Sequence, residues 1–136
     1  MSAAAKTRPP VIMIRRAYDA AASSDGYRVL VDRFWPRGRS KADLHLDAWE
    51  RDVAPSAELI RWFGDKPERW EAFRERYLGE LAAPEMRERL RALLAAGGSQ
   101  KTITLVYGAR GEAENQAVVL REALQAIGSD RATGTF

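Results

Sequence analysis

The chain has 136 residues, 46% hydrophobic and 30% charged, with 22 Lys+Arg against 19 Asp+Glu for a formal charge of +3. That composition describes one globular domain, neither disordered nor large enough for two cores, and no apolar run approaches the ~18 residues of a membrane span. Cysteine is absent and His45 is the sole histidine, which removes disulfides, thiolate nucleophiles and Cys-ligated zinc and leaves little material for a Ser-His dyad.

Residues 1–10 are small and polar. They lack the apolar stretch of a signal peptide and are expected to form a flexible arm, with cytoplasmic residence as the default. Residues 11–15 form a short run rich in β-branched side chains, and residues 28–34 form a second, ended by Trp35-Pro36 where proline forbids further ladder bonding. The link between these two expected strands carries the breaker Ser23-Ser24-Asp25-Gly26. Its length suits either a long hairpin or a minimal parallel crossover.

After Gly38 the apolar spacing turns helical for roughly sixty residues, beginning at Leu44, Leu46 and Trp49 and broken at Pro55. Ser56 is placed to cap a helix through Phe63, with Glu58 in its first turn and Gly64 as its stop. Pro67 opens the next start, where Trp70, Phe73, Tyr77 and Leu81 share one face. That aromatic stripe reads as core. Pro84 begins a further helix with Met86, Leu90, Leu93 and Leu94 inward, closed by Gly97-Gly98. Residues 102–107 make the clearest strand. Its Gly108 turn leads into a helix with Val118, Val119, Leu120, Ala123, Leu124 and Ile127 inward, expected to stop at Gly128 ahead of a loose tail over residues 128–136. The expectation is a single α/β domain over residues 11–127: a small, mostly parallel sheet of about three strands with helices packed around it.

Open sheets of this kind bind ligands beyond the carboxyl ends of their strands. One such segment is Asp32-Arg33-Phe34-Trp35-Pro36-Arg37-Gly38; the other runs from Tyr107 and Gly108 through Arg110 and Gly111 to Asn115. Residues 1–41 hold nine Lys+Arg and three Asp, net +6, and the remainder is net −3. Eighteen of the basic residues are Arg, a bias a GC-rich genome produces unaided, so only the clustering counts. In the functional reading Arg33, Arg37 and Arg110 clamp a phosphate or carboxylate, Trp35 or Tyr107 stacks on a ring, and Asp32 or Asn115 orients it, with Gly38 and Gly108 shaping the loops. In the plainer reading the same residues only finish strand ends and turns.

Proton transfer in that cleft would fall to Asp32, Tyr107, Glu112 or Glu114, each needing a shifted pKa. The strand, glycine loop, Arg and helix after Leu105 share an outline with the anion cradles of rhodanese-like and Cys-dependent phosphatase domains, without the cysteine. Asp43, His45 and Asp47 match no defined ligand spacing, so neither a metal nor another cofactor is expected. Two further classes compete with a small anionic ligand. Nucleic acid suits the basic first third with Tyr27, Phe34 and Trp35 interleaved, although no recognition motif accompanies it. A partner protein suits Trp49, Trp62 or Trp70, if these are exposed.

The blocks at residues 29–38, Ala54-Pro55-Ser56, Trp62-Phe63-Gly64, residues 105–109, Asn115 and residues 117–120 resemble the YeaO-like group of bacterial proteins of unknown function, DUF488. The resemblance runs roughly from Ile12 to Leu124. It implies a small cytoplasmic α/β protein and carries no established activity. A larger branch of the group bears Cys, His and Arg after its last strand, where this chain has Glu114-Asn115-Gln116.

Overall fold

The computed structural model describes residues 10–109, 111 and 114–133. In chain order the elements are β1 (Val11–Arg16), β2 (Tyr27–Leu30), α1 (Lys41–Leu44), β3 (Ala48–Trp49), α2 (Ala57–Phe63), α3 (Trp70–Leu81), α4 (Pro84–Gly97), β4 (Thr102–Tyr107) and α5 (Gln116–Thr133). The four strands form one sheet in the order β1-β4-β2-β3, and every neighbouring pair is parallel.

The α/β class and the parallel relation of β2 and β4 agree with the sequence reading; among the described residues the sheet has four strands, close to the three expected. The additional strand, β3, falls where a helix was expected from Leu44, Leu46 and Trp49. Helix α1 stops after one turn because His45 takes a left-handed conformation at φ 47° and donates its N–H to Lys41 O. The chain then meets the free edge of β2, with Asp47 N–H on Arg28 O at 2.8 Å and Glu50 N–H on Leu30 O at 2.9 Å.

Strands β1 and β2 run in the same direction on either side of β4, so their link is a crossover and not a hairpin. It contains a single 3-10 turn, Ser23–Asp25, followed by Gly26 at φ +64°, where a Cβ would stand 2.3 Å from Thr102 O. Only glycine fits that turn. Helix α5 continues past Gly128 to Thr133, beyond the expected stop.

Alternation along the strands separates two cores. Ile103, Leu105 and Tyr107 of β4 join Ile12, Val29 and Val31 in the larger one, filled from α2 to α5 by Phe63, Phe73, Tyr77, Leu81, Leu90, Leu93, Leu94, Leu120 and Leu124. Val106 and Leu30 face the other way, into a small cluster with Ala17 and Leu44. The longer helices therefore cover one face of the sheet, and α1 with its flanking loops covers the other. Ser56 caps α2 by accepting from Leu59 N–H, and Gly64 ends it, as the local pattern indicated.

Candidate functional site

Strand β2 yields to its loop after Leu30, although Val31 N–H still reaches Val106 O at 3.0 Å. At the next position the side chain takes over the pairing. Asp32 Oδ2 accepts from Gly108 N–H at 2.8 Å, Oδ1 accepts from the Gln116 side-chain amide, and its carbonyl accepts from Trp49 Nε1 at 2.7 Å. One residue thus joins the ends of β2 and β4, the first turn of α5 and the strand β3. A Cβ at Gly108 would lie 2.9 Å from Asp32 Oδ2, so glycine here serves close approach. Burial raises the Asp32 carboxyl to a pKa of about 6, against the opposing pull of its bonds from Gly108 and Gln116.

Arg33 is seated by a loop that α3 holds. Tyr77, fully buried, donates its hydroxyl to Val53 O, while Glu80 accepts from Ser56 N–H at 2.9 Å and from Ser56 Oγ at 2.7 Å. The loop so fixed presents carbonyls to Arg33, whose Nε donates to Pro55 O at 2.9 Å and Nη2 to Ala54 O at 3.4 Å. Among the described residues no carboxylate pairs with Arg33. Burial, with Glu80 and Asp32 nearby, pushes the Tyr77 phenol well above its ordinary range, and Arg33 works against that shift.

A cavity of about 290 Å³ opens at this junction. Phe34, Pro55, Ile60, Phe63 and Phe73 supply apolar wall; Asp32, Arg33, Asp65, Glu114, Asn115 and Gln116 supply polar wall. Asn115 is buried and caps α5: its Oδ1 accepts from Ala117 N–H at 2.9 Å and Val118 N–H at 3.2 Å, and its Nδ2 donates to Gly111 O at 2.7 Å.

Of the expected site residues, Asp32, Arg33 and Asn115 therefore meet at one cavity, with Gly108 bonded directly to Asp32. Tyr107 is buried in the larger core. Trp35 lies against the smaller cluster, edge-on to Trp49 at 5.3 Å and donating to Arg39 O at 2.6 Å. Arg37 is exposed and outside the cavity wall, its carbonyl accepting from the Tyr18 hydroxyl at 2.8 Å, and exposed Gly38 follows at φ +75°. Arg110 and Glu112 lie outside the described residues.

The tryptophans expected at an interface are half-buried. Trp49 carries Arg51 over its ring at 4.2 Å, Trp62 carries Arg76 at 4.1 Å and Arg69 at 4.9 Å, and Trp70 stacks on Phe73. Asp43 closes a capping box with Ser40, and Asp47 accepts from Arg28 N–H, so both carboxylates beside His45 are engaged in the fold. Among the described residues no group of His, Asp and Glu is arranged to hold a metal ion, and no helix is long and apolar enough to cross a membrane.

Sequence reasoning missed Gln116, Ile60 and Phe73 as parts of the site. Gln116 is 84 positions from Asp32, and no local signal marks such a pair. It also missed Tyr18, 42% exposed, with the guanidinium groups of Arg16 and Arg39 at 5.1 and 5.9 Å from its ring.

Three relatives are similar over most of the chain. The uncharacterized protein YeaO of Escherichia coli is 42% identical over 116 residues, 85% of this chain and 98% of that protein. The uncharacterized proteins Mb3100c of Mycobacterium bovis and Rv3073c of Mycobacterium tuberculosis are each 38% identical over 113 residues, 83% of this chain and 92% of theirs. No solved structure matches the chain. The family model described as the inactive DUF488-N3 subclade covers residues 11–134, and with these relatives it places the chain in the YeaO-like DUF488 family, to whose inactive N3 subclade it belongs.

Proposed function

We propose that this protein binds, without turning it over, a small metabolite that joins one carboxylate to an apolar body, in the cavity at the strand ends. The observation that carries this reading is Arg33, a residue of the cavity wall whose guanidinium has no carboxylate partner among the described residues. An Arg held by carbonyls keeps its charge available, and a carboxylate is its natural bidentate partner. Phe34, Ile60 and Phe63 offer the apolar body its contacts. Asp32, Asp65 and Glu114 on the same wall favour a single negative charge over a multiply charged phosphate. The family's description as inactive supports binding over catalysis. Cytoplasmic residence, expected from the polar start of the chain, belongs to the same proposal.

A second reading rests on Tyr18 between Arg16 and Arg39, a ring with flanking cations of the kind that holds single-stranded nucleic acid. One titration series separates the two. Aliphatic and aromatic carboxylates, inorganic phosphate and a single-stranded oligonucleotide are each followed by calorimetry at low and moderate salt. A carboxylate response that falls at least tenfold in Arg33→Met, with oligonucleotide inert, is the expected result. Oligonucleotide binding that weakens steeply with salt, unchanged in Arg33→Met, would support the second reading instead; a flat response to every carboxylate would end the first.

A further inference from the structure

Among the described residues strand β1 lies at the edge of the sheet, with β4 on one side only. The bonds of Val11 N–H to Lys101 O at 2.9 Å and Ala17 N–H to Tyr107 O at 2.6 Å show which way its backbone groups point. Because successive residues alternate, the odd-numbered positions face β4, and Pro10, Ile12, Ile14 and Arg16 turn their backbone groups to the free edge. Arg16 O is already occupied by Asp19 N–H at 3.1 Å. The free edge therefore offers the N–H groups of Ile12, Ile14 and Arg16, and the C=O groups of Pro10, Ile12 and Ile14. Val11, at its start, is 61% exposed.

We propose that the free edge of β1 pairs antiparallel with β1 of a second copy of the chain, about a two-fold axis at Met13, joining two sheets into one. In this register Ile12 stands opposite Ile14 of the second copy, and each such pair exchanges both of its hydrogen bonds. Arg16 stands opposite Pro10, so its N–H meets the Pro10 carbonyl. The donor that proline lacks would have faced Arg16 O, the one acceptor already taken. Every outward donor then has an acceptor. Moving the axis to Ile14 would demand Arg16 O, which Asp19 N–H already occupies.

Charge is compatible with this register. Arg15 faces Val11 and Arg16 faces Pro10 across the axis, so no two guanidinium groups are directly opposed, a placement that like charges require. Arg15 is in addition paired with Asp25 at 3.1 Å. Edge strands usually carry a device against pairing, such as a mid-strand proline, an inward charge or a covering helix. Here the proline sits at the only outward position whose missing donor costs the pair nothing. An interface repeated identically on both copies closes on itself and yields a dimer rather than a fibre.

The chain contains no cysteine, which makes the test direct. Met13 forms the pair that spans the axis without hydrogen bonds, where Cα atoms lie about 4.5 Å apart, within disulfide reach. Met13→Cys is expected to cross-link to a covalent dimer under mild oxidant, while Ile12→Cys, which faces Ile14 of the second copy, is expected not to. Light scattering behind size exclusion should show a dimer for the natural chain. Ile12→Pro, which removes an outward N–H and spares the bonds to β4, should give a folded monomer by circular dichroism. A natural chain that stays monomeric at high micromolar concentration overturns the proposal. So does a dimer that survives Ile12→Pro or in which Met13→Cys fails to cross-link.

Discussion

Asp32 carries opposing demands. Its carboxylate is the device that ends β2 and anchors both Gly108 and Gln116, yet it is buried enough that its pKa rises to about 6. The folded protein therefore holds a proton here that the unfolded chain, with an ordinary pKa of 3.8, releases earlier. The stabilising contribution is complete below that lower value and is lost as pH rises through about 6, a difference of up to about 3 kcal/mol. Asp32→Asn removes the titration and keeps the size, with the Gln116 amide free to rotate and accept. Melting curves between pH 4.5 and 7.5 should show the two proteins converging in acid, with the variant the more stable above pH 7. Identical pH profiles would refute the assignment.

Helix α5 depends on Asn115 in a way that its apolar face does not reveal. Buried, the side chain satisfies two orphan N–H groups of the first turn and also holds Gly111 O in the preceding loop. Asn115→Ala leaves these groups unpaired out of water, a cost of about 1–3 kcal/mol, or a fall in Tm of roughly 3–12 °C for a domain of this size. Asn115→Asp preserves the cap but sets a carboxylate oxygen against Gly111 O where the amide donated, so differential scanning calorimetry should place it below the natural chain. The same logic runs through α2, where Ser56 caps the helix and simultaneously receives Glu80 from α3. Capping and tertiary contact are one structure in both helices, and each supports a wall of the cavity.

The two faces of the sheet are stabilised by different physics. One buries aromatic and aliphatic side chains of four helices; the other depends on a polar group, Asp25, bonded to Arg28 and Arg15. Burial works against the Asp25 charge, and the Ala22 N–H with the two guanidinium groups outweighs it, so its pKa lies below the ordinary value. Arg28, itself buried, also donates to Leu44 O at 3.0 Å and so ties α1 to β2. Arg28→Ala removes one of the two guanidinium partners of the buried Asp25 carboxylate, leaving Arg15 and the Ala22 N–H, and is expected to cost about 1.5–3 kcal/mol in urea denaturation. Hydrogen exchange should then accelerate first in α1 and the crossover at residues 17–26, with β4 and α3 following only at global unfolding. Uniform acceleration would mean that the smaller face is not a separate unit.

Local chemistry determined much of this protein before any contact was known. Spacing of apolar residues marked α3, α4 and β4, and Ser56, Gly64 and Pro84 marked helix ends, because periodicity, capping and backbone restriction act within a few residues. That Asp32, Arg33 and Asn115 gather beyond the strand ends was also legible, since strand ends in parallel sheets are where such groups collect. Long-range geometry settled the rest. The two residues of β3 have no signal of their own and exist because the edge of β2 was free. Arg33 and Arg37 sit four positions apart, yet Trp35 packs beneath the second face between them, leaving Arg33 on the cavity and Arg37 outside its wall. Gln116 meets Asp32 across 84 positions. Such partners are chosen by the closing of the sheet, a cooperative event that no short stretch of sequence encodes.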